Sequence, residues 1–329
     1  MRKVRIAFIG CGGIANAHAE RLLPLRKAAI VALCDTDAAA VARLRERYPK
    51  LAKLPAFTDW REMLDQVNLD AVSIHTPHTS HYEQIMGALE RGLHVITEKP
   101  MVCTTEHAIA IARKVNQTGL EVQVSYQWVF DNRFRHARSL VQKGELGAIL
   151  FFNANLSQEW KNSQAGTWRQ DPKLSGGGQL NDSGSHLVNI ILWITGLVPK
   201  EVMAFVDNRG TPVDINSAVC VRCEGGAQGT INVLGDCSGW WDDWTIWGER
   251  GTLDYHEGIL THVTARREKH RLEYKPEESN PDRNFIEAIL GTAKLEVPVE
   301  RGLRVIQLTE AAWESGKTGR VAKVVAAPA

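Results

Sequence analysis

An α/β chain is what the sequence predicts: a doubly wound parallel sheet in residues 1–124, then an α+β region with a mostly antiparallel, open sheet in residues 125–329. Three observations lead there. Short apolar strands alternate with amphipathic helices through the first half, the pattern that yields parallel sheets with helices on both faces. A glycine-rich turn joins the first strand to the first helix. After about residue 125 the rhythm changes to strand-like runs placed back to back. A chain of 329 residues also exceeds what one core usually supports, so two domains are expected.

The elements follow in order. VRIAFIG (4–10) is a buried strand, IVALCD (30–35) a second and LPAFT (54–58) a weaker third. LDAVSIHTP (69–77), LHVITEKP (93–100) and EVQVSYQW (121–128) complete the sheet. Between them AAAVARLRERY (38–48), SHYEQIMGALERG (80–92) and TEHAIAIARKVNQTG (105–119) carry helical periodicity, the last two closed by glycine. The second half starts with a helix over 132–143, a strand over 148–160 and a helix over 182–193. Strands are expected over 200–207, 215–223, 228–235, 242–248 and 252–274, with EGGA (224–227) as a hairpin turn. Helices over 281–291 and 299–315 close the chain.

FIGCGGIANAH (8–18) leaves the first strand and opens a helix, with Gly10, Gly12 and Ala15 at the G-x-G-x-x-[G/A] spacing of a Rossmann dinucleotide turn. Gly10 makes the tight turn, Gly12 lets a pyrophosphate approach the backbone, and Ala15 lets helix and strand pack closely. The phosphates would sit on the helix N-terminus at Gly13 and Ile14, where unpaired N–H groups and the dipole favour anions. Asp35 ends the next strand, where a carboxylate accepts ribose hydroxyls and repels a 2′-phosphate; Thr36 and Asp37 add no positive charge. NAD rather than NADP is the expected cofactor. A Rossmann-like fold that binds no nucleotide is the bland alternative.

Two further stretches carry chemistry. Glu98 and Lys99 close the fifth strand just before Pro100, and strand ends line the ligand crevice of such a sheet. A lysine there is a solvated charge or, turned into the crevice, a hydrogen-bond donor to a substrate hydroxyl. GGGQLNDSGSH (176–186) then places Asp182 and His186 four residues apart, on one face if helical. An imidazole titrates near neutrality and can take a hydroxyl proton, with the aspartate orienting it. The structural alternative makes Asp182 a helix-start acid and His186 a satisfied core residue.

Composition excludes several classes. Net charge is +1 with 44% apolar and 23% charged residues, which argues against a nucleic-acid partner. No run of about 18 apolar residues suggests a membrane span, and the apolar stretch after MRKVR is short for a signal peptide. Six scattered cysteines suit reduced thiols, so a cytoplasmic protein is expected. Cys220 and Cys223 lie on a strand whose alternation sends them to opposite faces, against a redox or zinc pair.

Gly10–Ala15, Asp35, Thr76-Pro77, Glu98-Lys99-Pro100 and GGGQLNDSGSH, in that order, resemble the Gfo/Idh/MocA family of oxidoreductases. WRQDPKLSGGGQLNDSGSHLVNIILWITG (168–196) and IWGERGTL (246–253) extend the resemblance over nearly the whole chain. It implies a Rossmann domain followed by a sheet domain whose open face often builds homodimers or homotetramers. It also implies that Thr76, Pro77 and His81 lie beside the NAD ribose and nicotinamide, and that Lys99 contacts both nicotinamide and substrate. His186 would take the proton from a secondary hydroxyl of a sugar, cyclitol or glycoside while hydride moves to NAD, with Lys99 and Asp182 positioning that hydroxyl. The glycines of the second loop would let it pass close to cofactor and sugar. Two departures stand out: Asn189 where the family commonly has an acid, and Val129 where many relatives have arginine. Two other readings accompany this one. A redox glycosidase would retain NAD for transient oxidation, elimination and re-reduction, and a non-catalytic sensor would only bind NAD and sugar.

Some residues invite other readings. His75, His78 and His81 recur every three positions but run from a strand end across Pro77 into a helix, which splays them and disfavours a metal. Tyr126, Trp168 and Arg169 are candidate substrate contacts, the last two because they precede the glycine loop. WWDDWTIW (240–247) and Trp160 offer aromatic faces to a sugar or, as is common on strands, fill packing or an oligomer interface.

Overall fold

The computed structural model describes residues 3–274 and 279–326, which form two compact units. One takes the chain as far as Val102, then Glu106–Gln127 and Ser279–Gly302. The other holds Cys103–Thr105, the stretch from Trp128 onward, and everything described from Leu303.

The first unit contains β1 (Val4–Ile9), α1 (Ala15–Leu22), β2 (Ala28–Cys34), α2 (Ala38–Arg47), β3 (Ala56–Phe57), α3 (Trp60–Gln66), β4 (Ala71–Ile74), α4 (His81–Glu90), β5 (His94–Thr97), α5 (Thr105–Thr118) and β6 (Val122–Val124). Its sheet runs β3-β2-β1-β4-β5-β6 with every pairing parallel. The order reverses between β1 and β4, which places the ligand crevice of such a sheet at those strand ends. Strands β1, β4 and β5 are buried almost throughout, as strands covered on both faces must be. Helix α3 was not legible in the sequence: it is short, and Asp59 starts it by accepting the Arg61 N–H.

The second unit contains α6 (Asn132–Gln142), β7 (Ile149–Glu159), α7 (Trp160–Ser163), α8 (Pro172–Ser175), α9 (Gly184–Thr195), β8 (Pro199–Asp207), β9 (Asn216–Cys223), β10 (Gln228–Leu234), β11 (Asp236–Gly248), β12 (Gly251–His256), β13 (Ile259–Thr264) and β14 (Lys269–Arg271). After α10 (Pro281–Ile289), helix α11 (Val299–Thr318) leads to β15 (Ala322–Lys323). Its sheet of nine strands runs β14-β13-β12-β11-β7-β10-β9-β8-β15, antiparallel except for β10 with β7. Alternation decides its faces: β9 buries every second residue, so Cys223 is buried and Cys220 exposed.

Two expectations need correcting. The run 252–274 is three strands, because Glu257 and Gly258 turn with positive φ (48° and 78°) and Arg267 does so again (63°). A division at residues 124 and 125 does not capture the late segment either. Phe285 and Ile286 of α10 join the core of Ile6, Phe8 and Leu33, and Val124 N–H donates to Val297 O at 3.1 Å beside β6.

Candidate active site

In the first unit the turn after β1 is built to leave space. Gly10 has φ +94°, and a Cβ there would stand 2.8 Å from the His75 carbonyl carbon. Gly12 and Gly13 are exposed, and a Cβ on either would meet nothing within 4 Å. Ile14 begins α1 without a side-chain cap, so the helix N-terminus keeps backbone donors for an anion. Ala15 is fully buried against the sheet. Asp35 Oδ2 accepts the Cys11 N–H at 2.7 Å, and Oδ1 accepts the Asp37 N–H at 2.8 Å. The carboxylate therefore braces the turn from the far side, and each oxygen retains acceptor capacity for a ribose hydroxyl. These features fit NAD: open glycines at a helix start, with a half-buried acid beside them.

The neighbouring strand ends are held by buried imidazoles. His75 Nδ1 lies 3.0 Å from Gly10 O, and its Nε2 lies 2.7 Å from Ser73 Oγ. His81 contacts Thr76 O through Nε2 and Pro100 O through Nδ1, both at 2.9 Å. Burial lowers the pKa of both rings. His81 is fully buried with both nitrogens on protein carbonyls, so it ties two loops together. Thr76 Oγ1 donates to Gln84 Oε1 at 2.6 Å, and Pro77 precedes the turn into α4. Glu98 is buried, Lys99 half-buried, and the peptide joining Lys99 to Pro100 is cis. Tyr126, expected to reach substrate, is fully buried. Among the described residues no cluster of histidine, cysteine and acid could hold a metal.

In the second unit Asp182 and His186 are both buried, at 5% and 8% exposure. Helix α9 starts at Gly184, so Asp182 stands in the turn before it; its N–H donates to Gly178 O at 3.0 Å. Its Oδ2 accepts Trp160 Nε1–H at 2.9 Å and Arg169 Nε–H at 3.1 Å. Arg169 also lies over the Trp168 ring, 4.4 Å from its centroid. The His186 ring stacks on Trp128 with centroids 5.3 Å apart. One turn further, Asn189 is 1% exposed, and its side-chain nitrogen has no hydrogen-bond partner among the described residues. That is an orphaned donor on the His186 face of the helix. Val129 is buried core.

The glycines of this loop have a different reason from the one expected. A Cβ on Gly178 would stand 1.9 Å from Asp214 O, and one on Gly177 2.4 Å from the Trp313 ring. The close approach is to the chain itself. Asp214, which sequence reasoning missed, accepts Gly178 N–H and Leu180 N–H at 2.8 Å each and Trp313 Nε1–H at 3.0 Å. Burial raises its pKa, and these donors pull against that rise. Nothing local to Asp214 marks it; its partners lie 34 to 99 positions away.

Comparison with known proteins agrees with both halves. Residues 4–126 match a model of the oxidoreductase family with an NAD-binding Rossmann fold, and residues 134–254 match the GFO/IDH/MocA C-terminal domain. Levoglucosan dehydrogenase of Pseudarthrobacter phenanthrenivorans is 25% identical over 278 residues, 73% of this chain and 69% of that protein. D-glucoside 3-dehydrogenase of Escherichia coli is 29% identical over 194 residues, 59% of this chain and 54% of that protein, so the chain spans about half its length there. An oxidoreductase domain protein from Kribbella flavida shares the fold with a TM-score of 0.89 at 24% identity, over 99% of this chain and all of that one. The chain belongs to the Gfo/Idh/MocA family of NAD-dependent oxidoreductases.

Proposed function

We propose that this oxidoreductase removes hydride from a secondary hydroxyl carbon of a sugar, cyclitol or glycoside. The observation that carries the reading is the buried Asp182–His186 turn, with its aromatic bed of Trp128 and Trp160, in a chain whose other unit is an NAD-binding domain. Relatives named for levoglucosan and for a D-glucoside support the substrate class. NAD, when bound, supplies the hydride acceptor. Gly12, Gly13 and Ile14 would hold its phosphates, and Asp35 its ribose.

The chain's own residues do the rest. His186 takes the hydroxyl proton on a ring nitrogen as the carbon loses hydride, so the alcohol leaves as a carbonyl. Lys99 donates to the same oxygen and opposes the negative charge growing there. Asp182 is pinned by Trp160 and Arg169, so its part is to set the loop that presents His186. Arg169 is paired with that carboxylate, which leaves this end of the unit balanced for an uncharged polyol. The Asn189 amide donates to a second hydroxyl. Absorbance at the NADH band, with a panel of sugars, cyclitols and glycosides, tests it: stoichiometric NADH from at least one polyol is expected, and none from any would sink the reading.

Copies of the chain are proposed to pair through the outward face of the nine-stranded sheet, where Phe205 is 77% exposed and Trp241 and Trp247 are also exposed. Light scattering on Phe205→Glu should show a smaller particle than the native chain.

A further inference from the structure

Lys99 is held from both sides by buried imidazoles. On one side Glu98 N–H donates to Ile74 O at 2.9 Å, Glu98 Oε1 meets His18 Nε2 at 3.1 Å, and Glu98 Oε2 accepts the Lys99 N–H at 3.2 Å. On the other, Pro100 O contacts His81 Nδ1 at 2.9 Å. His18, in α1, is fully buried, and its Nδ1 lies 2.7 Å from Asp282 Oδ1 in α10. Carboxylates on both ring edges require two N–H donors, which only an imidazolium has.

The groups facing that ring come from four elements. Asp282 belongs to α10, and its other oxygen lies 3.5 Å from Arg21 Nη1 of α1. Glu98 follows β5, and His75, after β4, stacks on His18 with centroids 4.3 Å apart. Burial alone would lower the His18 pKa, but the Asp282 and Glu98 carboxylates outweigh it and raise the value to about 9. Burial, aided by the His18 charge, holds His75 well below its ordinary value. The stack therefore pairs one charged ring with one neutral ring.

We propose that His18 is a positioning residue for Lys99: anchored on Asp282, it fixes the Glu98 carboxylate that holds the Lys99 backbone. That Lys99 meets substrate rests on the function proposed above; the clamp itself stands on the first unit alone. His18 was not a candidate in the sequence, because its two partners lie 80 and 264 positions away. Its loss should act through lysine placement, so it should lower turnover far more than it weakens NAD.

The test is His18→Asn in the full chain, read in two ways. By nuclear magnetic resonance the Lys99 amide should shift while amides of β1 keep their positions. In kinetics, kcat/KM for an oxidised polyol should fall roughly tenfold or more with NAD Kd within about twofold. The native chain is expected to lose kcat/KM above about pH 9, and the variant should not. An unmoved Lys99 amide with an unchanged pH profile overturns the proposal. Should the variant not fold, the native protein decides: the Lys99 amide must titrate with the His18 ring nitrogens, near pH 9, and indifference to that titration overturns the clamp. A native chain that oxidises no polyol overturns the functional reading, while the amide titration still judges the clamp.

Discussion

The two glycine-rich loops are alike in composition and opposite in use. The first, Gly10 to Gly13, points two glycines into open space where a Cβ would meet nothing. The second, Gly176 to Gly178, presses Gly177 onto Trp313 and Gly178 onto Asp214 of its own unit. One loop omits side chains to leave room for a ligand, and the other omits them so that the chain can close on itself. A glycine run therefore does not announce a binding site until its neighbours are known.

Substitutions can break or sharpen that contrast. The largest effect belongs to His186→Ala, which should cut turnover about a thousandfold or more while NAD Kd stays within about twofold. Kinetics with titration calorimetry would show it, and native turnover in that variant would remove the base. Next comes the glycine pair. Gly178→Ala forces a methyl group into the Asp214 backbone, so its melting temperature should drop by roughly 5 °C or more. Gly12→Ala should melt like the native chain yet bind NAD about tenfold more weakly. A reversal of that pattern would erase the distinction between the loops.

Asp35→Ser comes third. The NAD over NADP ratio of kcat/KM should fall by roughly tenfold. Because Asp35 also accepts the Cys11 N–H, the variant should weaken NAD itself to some degree. The smallest effect is on stability against pH. His18 binds its proton more tightly in the fold than in the unfolded chain. Its contribution, at most about 3 kcal/mol, is complete below pH 6.5 and fades as the pH climbs through about 9. Denaturant midpoints measured from pH 6 to pH 10 should fall across that window, and more shallowly in His18→Asn.

What the sequence made legible was what depends on near neighbours. The first loop, its strand and Asp35 lie within about thirty residues and share one local logic, so cofactor and fold could be read together. Lys99, Asp182 and His186 were legible as candidates because motifs carry them. The supports were invisible: Asp214 under the second loop, Asp282 behind His18, and α10 folded back into the first core, each joined to its partner only by tertiary packing. The same blindness hid the full burial of His81 and Tyr126, since burial of a polar ring is decided by distant chain. It also hid the close approach of Gly177 and Gly178 to Trp313 and Asp214.

Isotope tracing tests the central claim most directly. A polyol substrate carrying deuterium on the carbon to be oxidised should pass that deuterium to the cofactor, so that the NADH recovered is heavier by the mass of one label. Light NADH with the deuterium released to water would contradict direct hydride transfer, and with it the roles given to Lys99, Asp182 and His186.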